Sequence, residues 1–305
     1  MPAVTVLGPQ RRPTLDRAVR ALGLEGPFAA VTAGWRDREP DDAELDAQLG
    51  GRSANLHLYR RWLEVVERNP EYAVAEREHR AVLEELQTLY GMQLDAALQA
   101  VHAVAARVVD RPRAQTAALA DAEDLLRVVD EHHLARVREA HGDFYAAWRL
   151  EERDAIADHR EALRGVLAQA PVLVVAGGHV GVLVQLLHLF HLAPHLPPTV
   201  VAWSAGAMAL TDRVVLFHDA AAQGAGHDEV WDEGLGLVPS TVLLPHARRR
   251  LRTDDAARMG LLARRFAPAR CVVLDDGVRV ELGADGALPP GARVVSTDGT
   301  VEELA

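Results

Sequence analysis

The period of the apolar residues changes twice along this chain, and the change constrains the fold more than any single motif. Before about position 55 and after about position 150, short apolar runs alternate with helical spacing and glycine-bearing turns. Between Leu56 and Leu150 no strand-like run occurs and a 3.6-residue period takes over. At the start, Ala3–Leu7 is an apolar run closed by Gly8-Pro9. Thr14–Leu22 has helical spacing after a threonine that can cap it, and Phe28–Thr32 is a second apolar run followed by Gly34 and an acidic loop to Asp46. Strand, helix and strand at this spacing open a parallel sheet.

The middle stretch reads as two long helices in an antiparallel hairpin. Val82, Leu86, Leu89, Ala97, Val101, Val104 and Val108 form one stripe, Arg111-Pro112 breaks it, and Leu125, Val129, Leu134, Val137, Phe144 and Trp148 form the next. A third helix, about Glu152–Gln169, leads back to the sheet. After Pro171 the α/β pattern resumes. Val172–Ala176 is a continuous apolar run bounded by Gly177-Gly178, as in a buried parallel strand. Helices are expected over Gly181–Leu192 and Asp254–Phe266. Further strands are expected over Thr199–Trp203, Val214–Phe217, Val242–Leu244, Cys271–Leu274, Val278–Leu282 and Arg293–Val295. The expected division is an α/β core from residues 1–54 and 151–305, with residues 55–150 as a helical insertion.

Composition narrows the chemistry. The 305 residues include one cysteine, Cys271, so no disulfide framework exists within the chain, and a reducing, cytoplasmic setting is expected. All 33 basic residues are arginine and the single isoleucine is Ile156, a bias that points to a GC-rich, bacterial genome. Without lysine there is no Schiff base, no P-loop lysine and no Ser-Lys dyad. A net charge of −11 argues against general nucleic-acid binding. The N-terminus carries no signal-peptide pattern and no window is apolar enough to span a membrane, so neither nucleic acid nor membrane is an expected partner.

The segment that carries chemistry is Val200-Val201-Ala202-Trp203-Ser204-Ala205-Gly206-Ala207-Met208. A buried strand runs into a serine flanked by small residues, and a helix is expected to follow. This is the layout of a nucleophile elbow, whose sharp turn requires small neighbours. The competing reading is a helix N-cap serine. Gly178, at the end of the preceding strand, lies 26 positions before Ser204. Parallel neighbours end on one sheet edge, so this turn should face the serine, and the N–H groups of Gly178 and Ala205 are candidate oxyanion donors. Val242-Leu243-Leu244-Pro245-His246 places a histidine after another short strand, where a general base has to lie.

Trp203-Ser204-Ala205-Gly206-Ala207, the upstream glycine turn, and Gly234-Leu235-Gly236-Leu237 leading to Pro245-His246 resemble the peptidase E and cyanophycinase family of serine peptidases. The resemblance covers about Pro171–Phe266 well, Ala3–Gly34 loosely, and the helical middle not at all. It implies a three-layer α/β sandwich with a mostly parallel central sheet, of the class I glutamine amidotransferase type, carrying an inserted helical hairpin. Under it Ser204 matches the nucleophile, His246 the base, and Gly177 and Gly178 the oxyanion turn. Asp219 best fits the position of the acid, with Asp212, Glu229 and Glu233 as alternatives. Arg250 and Arg252 resemble the arginines that follow the histidine and would meet a substrate carboxylate. The family's glycine two positions before the serine is Ala202 here. His179-Val180 stands where the turn usually continues with Asn and a hydroxyl residue, so His179 would reshape the substrate pocket.

The expected activity is hydrolysis of a peptide or isopeptide bond in a small substrate, with no cofactor. The second reading is a catalytically silent member of the same fold that binds or oligomerises through the helical insertion. A third, an α/β-hydrolase esterase, shares the Ser…Asp…His order. Zinc binding by His188, His191 and His195 is disfavoured because Pro194 ends the helix before the third histidine. His218, Asp219, His227, Asp228 and Glu229 form a cluster expected to line the site's mouth rather than to hold a metal. His132, His133 and His141 are expected on polar helix faces, and Cys271 as an inert core thiol.

Overall fold

The computed structural model describes residues 2–10, 14–217, 219, 227–283 and 285–305. Strands β1 (Ala3–Leu7), β2 (Phe28–Val31), β3 (Ser53–Asn55), β4 (Val172–Val175) and β5 (Thr199–Trp203) form the parallel part of a central sheet. With β6 (Val214–Leu216), β7 (Glu229–Asp232), β8 (Thr241–Pro245), β9 (Arg270–Leu274) and β10 (Arg279–Glu281) numbered in chain order, the central sheet has the order β10-β1-β5-β4-β2-β3. Only β10 runs antiparallel, on the β1 edge. A second sheet has the order β12-β11-β9-β8, with β11 (Arg293–Val295) and β12 (Val301–Glu303), and β8 pairs parallel to β9. β6 and β7 form a separate antiparallel pair.

Side chains alternate across the central sheet, and each face has its own cover. Val174, Ala176, Val201 and Trp203 cluster with Leu15, Ala18 and Val19 of α1 (Leu15–Ala21) and Leu45 of α2 (Ala43–Gln48). Leu173, Val175, Val200 and Ala202 lie in the larger cluster on the other side. That cluster takes in α6 (Asp154–Leu167), α7 (Val180–Leu189) and the second sheet. The result is a mixed α/β fold with a mostly parallel central sheet. Ala202 is fully buried inside it, with its methyl group accommodated in the core.

Between β3 and α6 the chain is helical: α3 (Leu58–Arg68), then α4 (Pro70–Ala106) and α5 (Pro112–Trp148), 37 residues each. At 1.5 Å per residue each long helix spans about 55 Å. Asn69 caps α4 by accepting from the Tyr72 N–H, with Pro70 at the first helical position where its missing N–H costs nothing. Tyr72 meets Trp148, His79 meets His141, Tyr90 meets Asp130, and Gln115 reaches the Val104 carbonyl, so α4 and α5 run antiparallel.

The face they bury is the expected one only in part: Ala97, Val101, Leu134 and Val137 are buried. Val82, Leu89 and Leu125 are exposed, and Val108 almost wholly so (97%). The buried face carries Tyr72, Tyr90, Leu94, Leu98, Leu126 and Leu134, together with the polar Glu76, Glu123, Asp130 and His133. His133 is therefore a buried residue, stacked on Tyr90 with ring centroids 4.1 Å apart, and His141 is half-buried. The hairpin is tied to the core by Arg265 of α10 (Ala256–Phe266), counted after the one-turn helices α8 (Ala205–Met208) and α9 (Ala247–Arg250). Arg265 donates to both oxygens of Asp130, at 2.8 and 2.6 Å, to the Tyr90 hydroxyl at 2.9 Å and to the Asp228 carbonyl at 2.8 Å. Among the described residues no helix is long and apolar enough to cross a membrane.

Candidate active site

The buried strand β5 ends in Ser204, whose backbone adopts φ 53°, ψ −125°. This is the conformation of the first central residue of a type II′ turn, one that glycine favours and other residues adopt at a cost of about 1–3 kcal/mol. The neighbours enforce it by close approach. A Cβ on Gly206 would lie 2.4 Å from the Val175 carbonyl oxygen, so α8 stands directly on the end of β4. A Cβ on Gly177 would lie 2.9 Å from the Ser204 Cβ. Gly178, at φ +132°, packs against Gly34 so closely that a Cβ would come within 2.4 Å of the Gly34 oxygen, and His179 N–H donates to that same oxygen at 2.8 Å. The small residues around the serine are thus packing requirements. The helix expected after the serine is only the single turn α8, so the field of a long helix does not act there.

Ser204, His246, Gly177 and Gly178 line one cavity of about 550 Å³, together with Trp35 and Trp203 and, at its polar side, Arg38, Asp41 and Glu44. His246 follows β8 in a left-handed conformation (φ 60°, ψ 31°) and its N–H donates to the Leu274 carbonyl at 3.1 Å. Among the described residues the N–H groups of Gly178 and Ala205 find no protein acceptor. Trp35 and the charged residues of α2 and its approach were missed in the sequence. Their contribution depends on how β2 and α2 fold over the strand ends.

The other predicted residues lie elsewhere. The side chain of Asp219 is buried; its Oδ1 accepts from Arg258 Nη2 at 3.0 Å and its Oδ2 from the Arg252 N–H at 3.0 Å, while the residue's own N–H donates to the Arg250 carbonyl at 2.7 Å. It sits behind the helical turn that follows His246 and does not line the cavity. Asp212 accepts from Ser240 N–H, Glu229 from Gln87, and Glu233 pairs with Arg138. Neither Arg250 nor Arg252 lines the serine cavity. His179 caps α7, its Nδ1 accepting from Val182 N–H at 3.2 Å, and it faces a different cavity. Burial, then Arg36, hold its pKa below the usual histidine value.

One carboxylate near His246 had no signal in the sequence. Asp275 follows β9, in register with the step from β8 to His246. Its Oδ1 accepts from Arg248 N–H at 3.1 Å, whereas Oδ2 is buried, 3.3 Å from Arg248 Nε, without a hydrogen bond. Cys271 is buried in β9, and burial pushes its thiol up to about 12, which leaves no thiolate for catalysis. His218 lies outside the described residues, and among those described no group of three His, Cys, Asp or Glu is arranged to hold a metal.

No family model matches the chain, and no curated protein matches it. Among solved structures it is similar to the crystal structure of a peptidase from an acI-B1 Actinobacterium. The match has 12% identity and a TM-score of 0.47, and it covers 100% of this chain and 94% of that one.

Proposed function

We propose that the chain is a serine hydrolase of the peptidase E type, cleaving a peptide or isopeptide bond in a small substrate. The observation that carries this reading is Ser204 in a strained elbow at the end of a buried parallel strand, sharing a cavity with His246 and the glycine turn. Ser204 Oγ attacks the carbonyl carbon while His246 takes its proton. The oxyanion of the tetrahedral intermediate is met by the unengaged N–H groups of Gly178 and Ala205. The C–N bond breaks as His246 returns the proton to the leaving amine, and water then hydrolyses the ester by the reverse use of the same base. Asp219 is proposed as the acid that orients the base, acting through the turn Ala247–Arg250. The buried Oδ2 of Asp275, ion-paired with Arg248 but without a hydrogen bond, favours a second assignment of that role.

A fluorophosphonate probe tests the nucleophile. Wild type should be labelled and Ser204→Ala should not, with His246→Ala labelled far more slowly. Labelling of Ser204→Ala at the wild-type rate would end the proposal, and an unlabelled wild type would support the silent reading. Comparing Asp219→Asn with Asp275→Asn assigns the acid by whichever loses labelling. A dipeptide and isopeptide library then defines the bond.

A further inference from the structure

A second cavity, of about 460 Å³, lies between the helical hairpin and α7, and it shares no lining residue with the serine cavity. Six aromatic side chains wall it: Tyr59, Trp62, Tyr72, Phe144, Tyr145 and Trp231. The faces of such rings carry the negative end of their quadrupole. Inside are two carboxylates, Glu76 with its side chain 7% exposed and Asp232 with 13%.

Burial raises the Glu76 pKa above the usual carboxylate value, and its Trp62, Arg80 and Gln185 partners pull it back toward the charged form. Glu76 accepts from the Trp62 indole N–H at 2.8 and 3.0 Å and from the Gln185 amide, all neutral donors. Asp232 accepts from Glu233 N–H at 2.7 Å and lies 3.2 Å from His141 Nε2, which is followed through Nδ1 by His79 at 3.0 Å. His79 is stacked on Phe144 with centroids 4.4 Å apart, and burial holds its pKa down at about 4, so it is neutral in ordinary buffers. Tyr72 is 2% exposed, lines the cavity, and its hydroxyl makes no hydrogen bond to any described residue. The lining arginines, Arg36 and Arg80, are at the exposed rim.

Arg80 itself shows what the box accepts. Its guanidinium carbon stands 5.9 Å over the Trp62 ring, and its Nη2 is 3.6 Å from Glu76 Oε1, with nearly half of the side chain in solvent. The chain's own cation is parked at the mouth, between a ring face and a buried carboxylate. From this arrangement we infer that the cavity is a binding site for an organic monocation with an apolar or aromatic body. The ammonium or guanidinium group is met by ring faces and by Glu76 and Asp232. The body displaces water from the aromatic walls. An anion would face the two buried carboxylates and is rejected.

Calorimetry on the full chain with benzyltrimethylammonium, 3-phenylpropan-1-ol and 3-phenylpropionate tests this. The cation should bind at least tenfold more tightly than the alcohol, and the carboxylate most weakly. The exposed substitution Arg80→Gln removes the resident competitor and should raise the cation's affinity severalfold. Glu76→Gln should lower it at least tenfold, and if that variant fails to fold, the sign of the Arg80→Gln effect decides alone. Carboxylate binding as tight as the cation's, weaker cation binding in Arg80→Gln, or no binding by any of the three probes would each overturn the inference. Ser204→Ala should bind the cation as wild type does, which separates this site from the proposed hydrolytic one.

Discussion

The two cavities flank one turn and are built on opposite principles. Gly178 and Trp35 line the serine cavity; their chain neighbours His179 and Arg36 line the aromatic one. Each cavity also holds one residue in the same strained backbone conformation, Ser204 at φ 53°, ψ −125° and Arg36 at φ 56°, ψ −123°. The serine cavity is shaped by backbone: strand ends, a glycine turn and a left-handed histidine, packed so closely that added methyl groups collide with carbonyls. The aromatic cavity is shaped by long side chains projecting from helices that approach no nearer than those side chains allow. Backbone geometry of the first kind suits chemistry that needs fixed donors. A side-chain box of the second kind suits recognition of a bulky ligand.

The sharpest break between the two should come from the ion network under the hairpin. Asp130→Ala leaves the Arg265 guanidinium, 2% exposed, without its carboxylate. Removing one partner of a buried pair costs about 3–5 kcal/mol, and urea unfolding should show it. A loss below about 1 kcal/mol would mean that the apolar contacts of α4 and α5 alone hold the hairpin to the core. The next effect reverses sign between the regions. Gly178→Ala forces a Cβ to 2.4 Å from the Gly34 oxygen at a positive φ and should cost about 2–3 kcal/mol, together with fluorophosphonate labelling. Gly91→Ala, inside α4 with nothing within 4 Å, should stabilise by about 0.5–1 kcal/mol. Two losses of similar size would contradict the contrast.

The same difference explains what could be read in advance. β4, β5, the glycine turn and Ser204 were legible because close backbone packing selects Gly and Ala at fixed places in the chain, and His246 because it follows a buried run. The strands β3, β7 and β12 were not expected: Ser53–Asn55, Glu229–Asp232 and Val301–Glu303 hold no run of buried apolar residues, and each pairs at an edge or with one partner. Helix α2 was read as an acidic loop because it is too short to show a period. In the hairpin the period was right and the face was right only in part, with Ala97, Val101, Leu134 and Val137 buried. Apolar residues such as Val82 and Leu89 were counted toward the core, whereas the buried face carries Tyr72, Glu76, Tyr90 and Asp130, whose partners Trp62, Gln185 and Arg265 are distant in the chain. Polar residues that are buried in pairs carry no signal in a hydropathy pattern. The aromatic cavity, made from such residues, was invisible for that reason.

Acid should weaken the aromatic side first. His79 has a native pKa of about 4 against about 6.5 in the unfolded chain, where desolvation is absent. Between those values the unfolded chain binds the proton and the folded one does not. The histidine's contribution is therefore whole above about pH 6.5 and is lost as pH falls toward 4. His133, also on the hairpin, shifts in the same direction through burial. Stability measured by urea unfolding across this window should drop, with His79 accounting for on the order of 1 kcal/mol after allowance for its partial exposure. His79→Gln should flatten the slope by that amount. An unchanged slope would place the titration elsewhere.

The smallest effect tests whether both strained residues carry a backbone cost. Replacing Ser204 or Arg36 by glycine relieves the backbone cost of φ above 50°, about 1–3 kcal/mol, but gives back about 0.5–1 kcal/mol through the freer unfolded chain. Each variant should therefore be stabilised by about 1 kcal/mol in urea unfolding. Ser204→Gly should lose all fluorophosphonate labelling and keep cation binding. Arg36→Gly, whose side chain is exposed, should keep labelling at the wild-type rate. Ser204→Gly loses labelling because it removes the reacting oxygen, so the strain itself is read in stability, and a destabilised variant at either position would contradict the backbone cost assigned there.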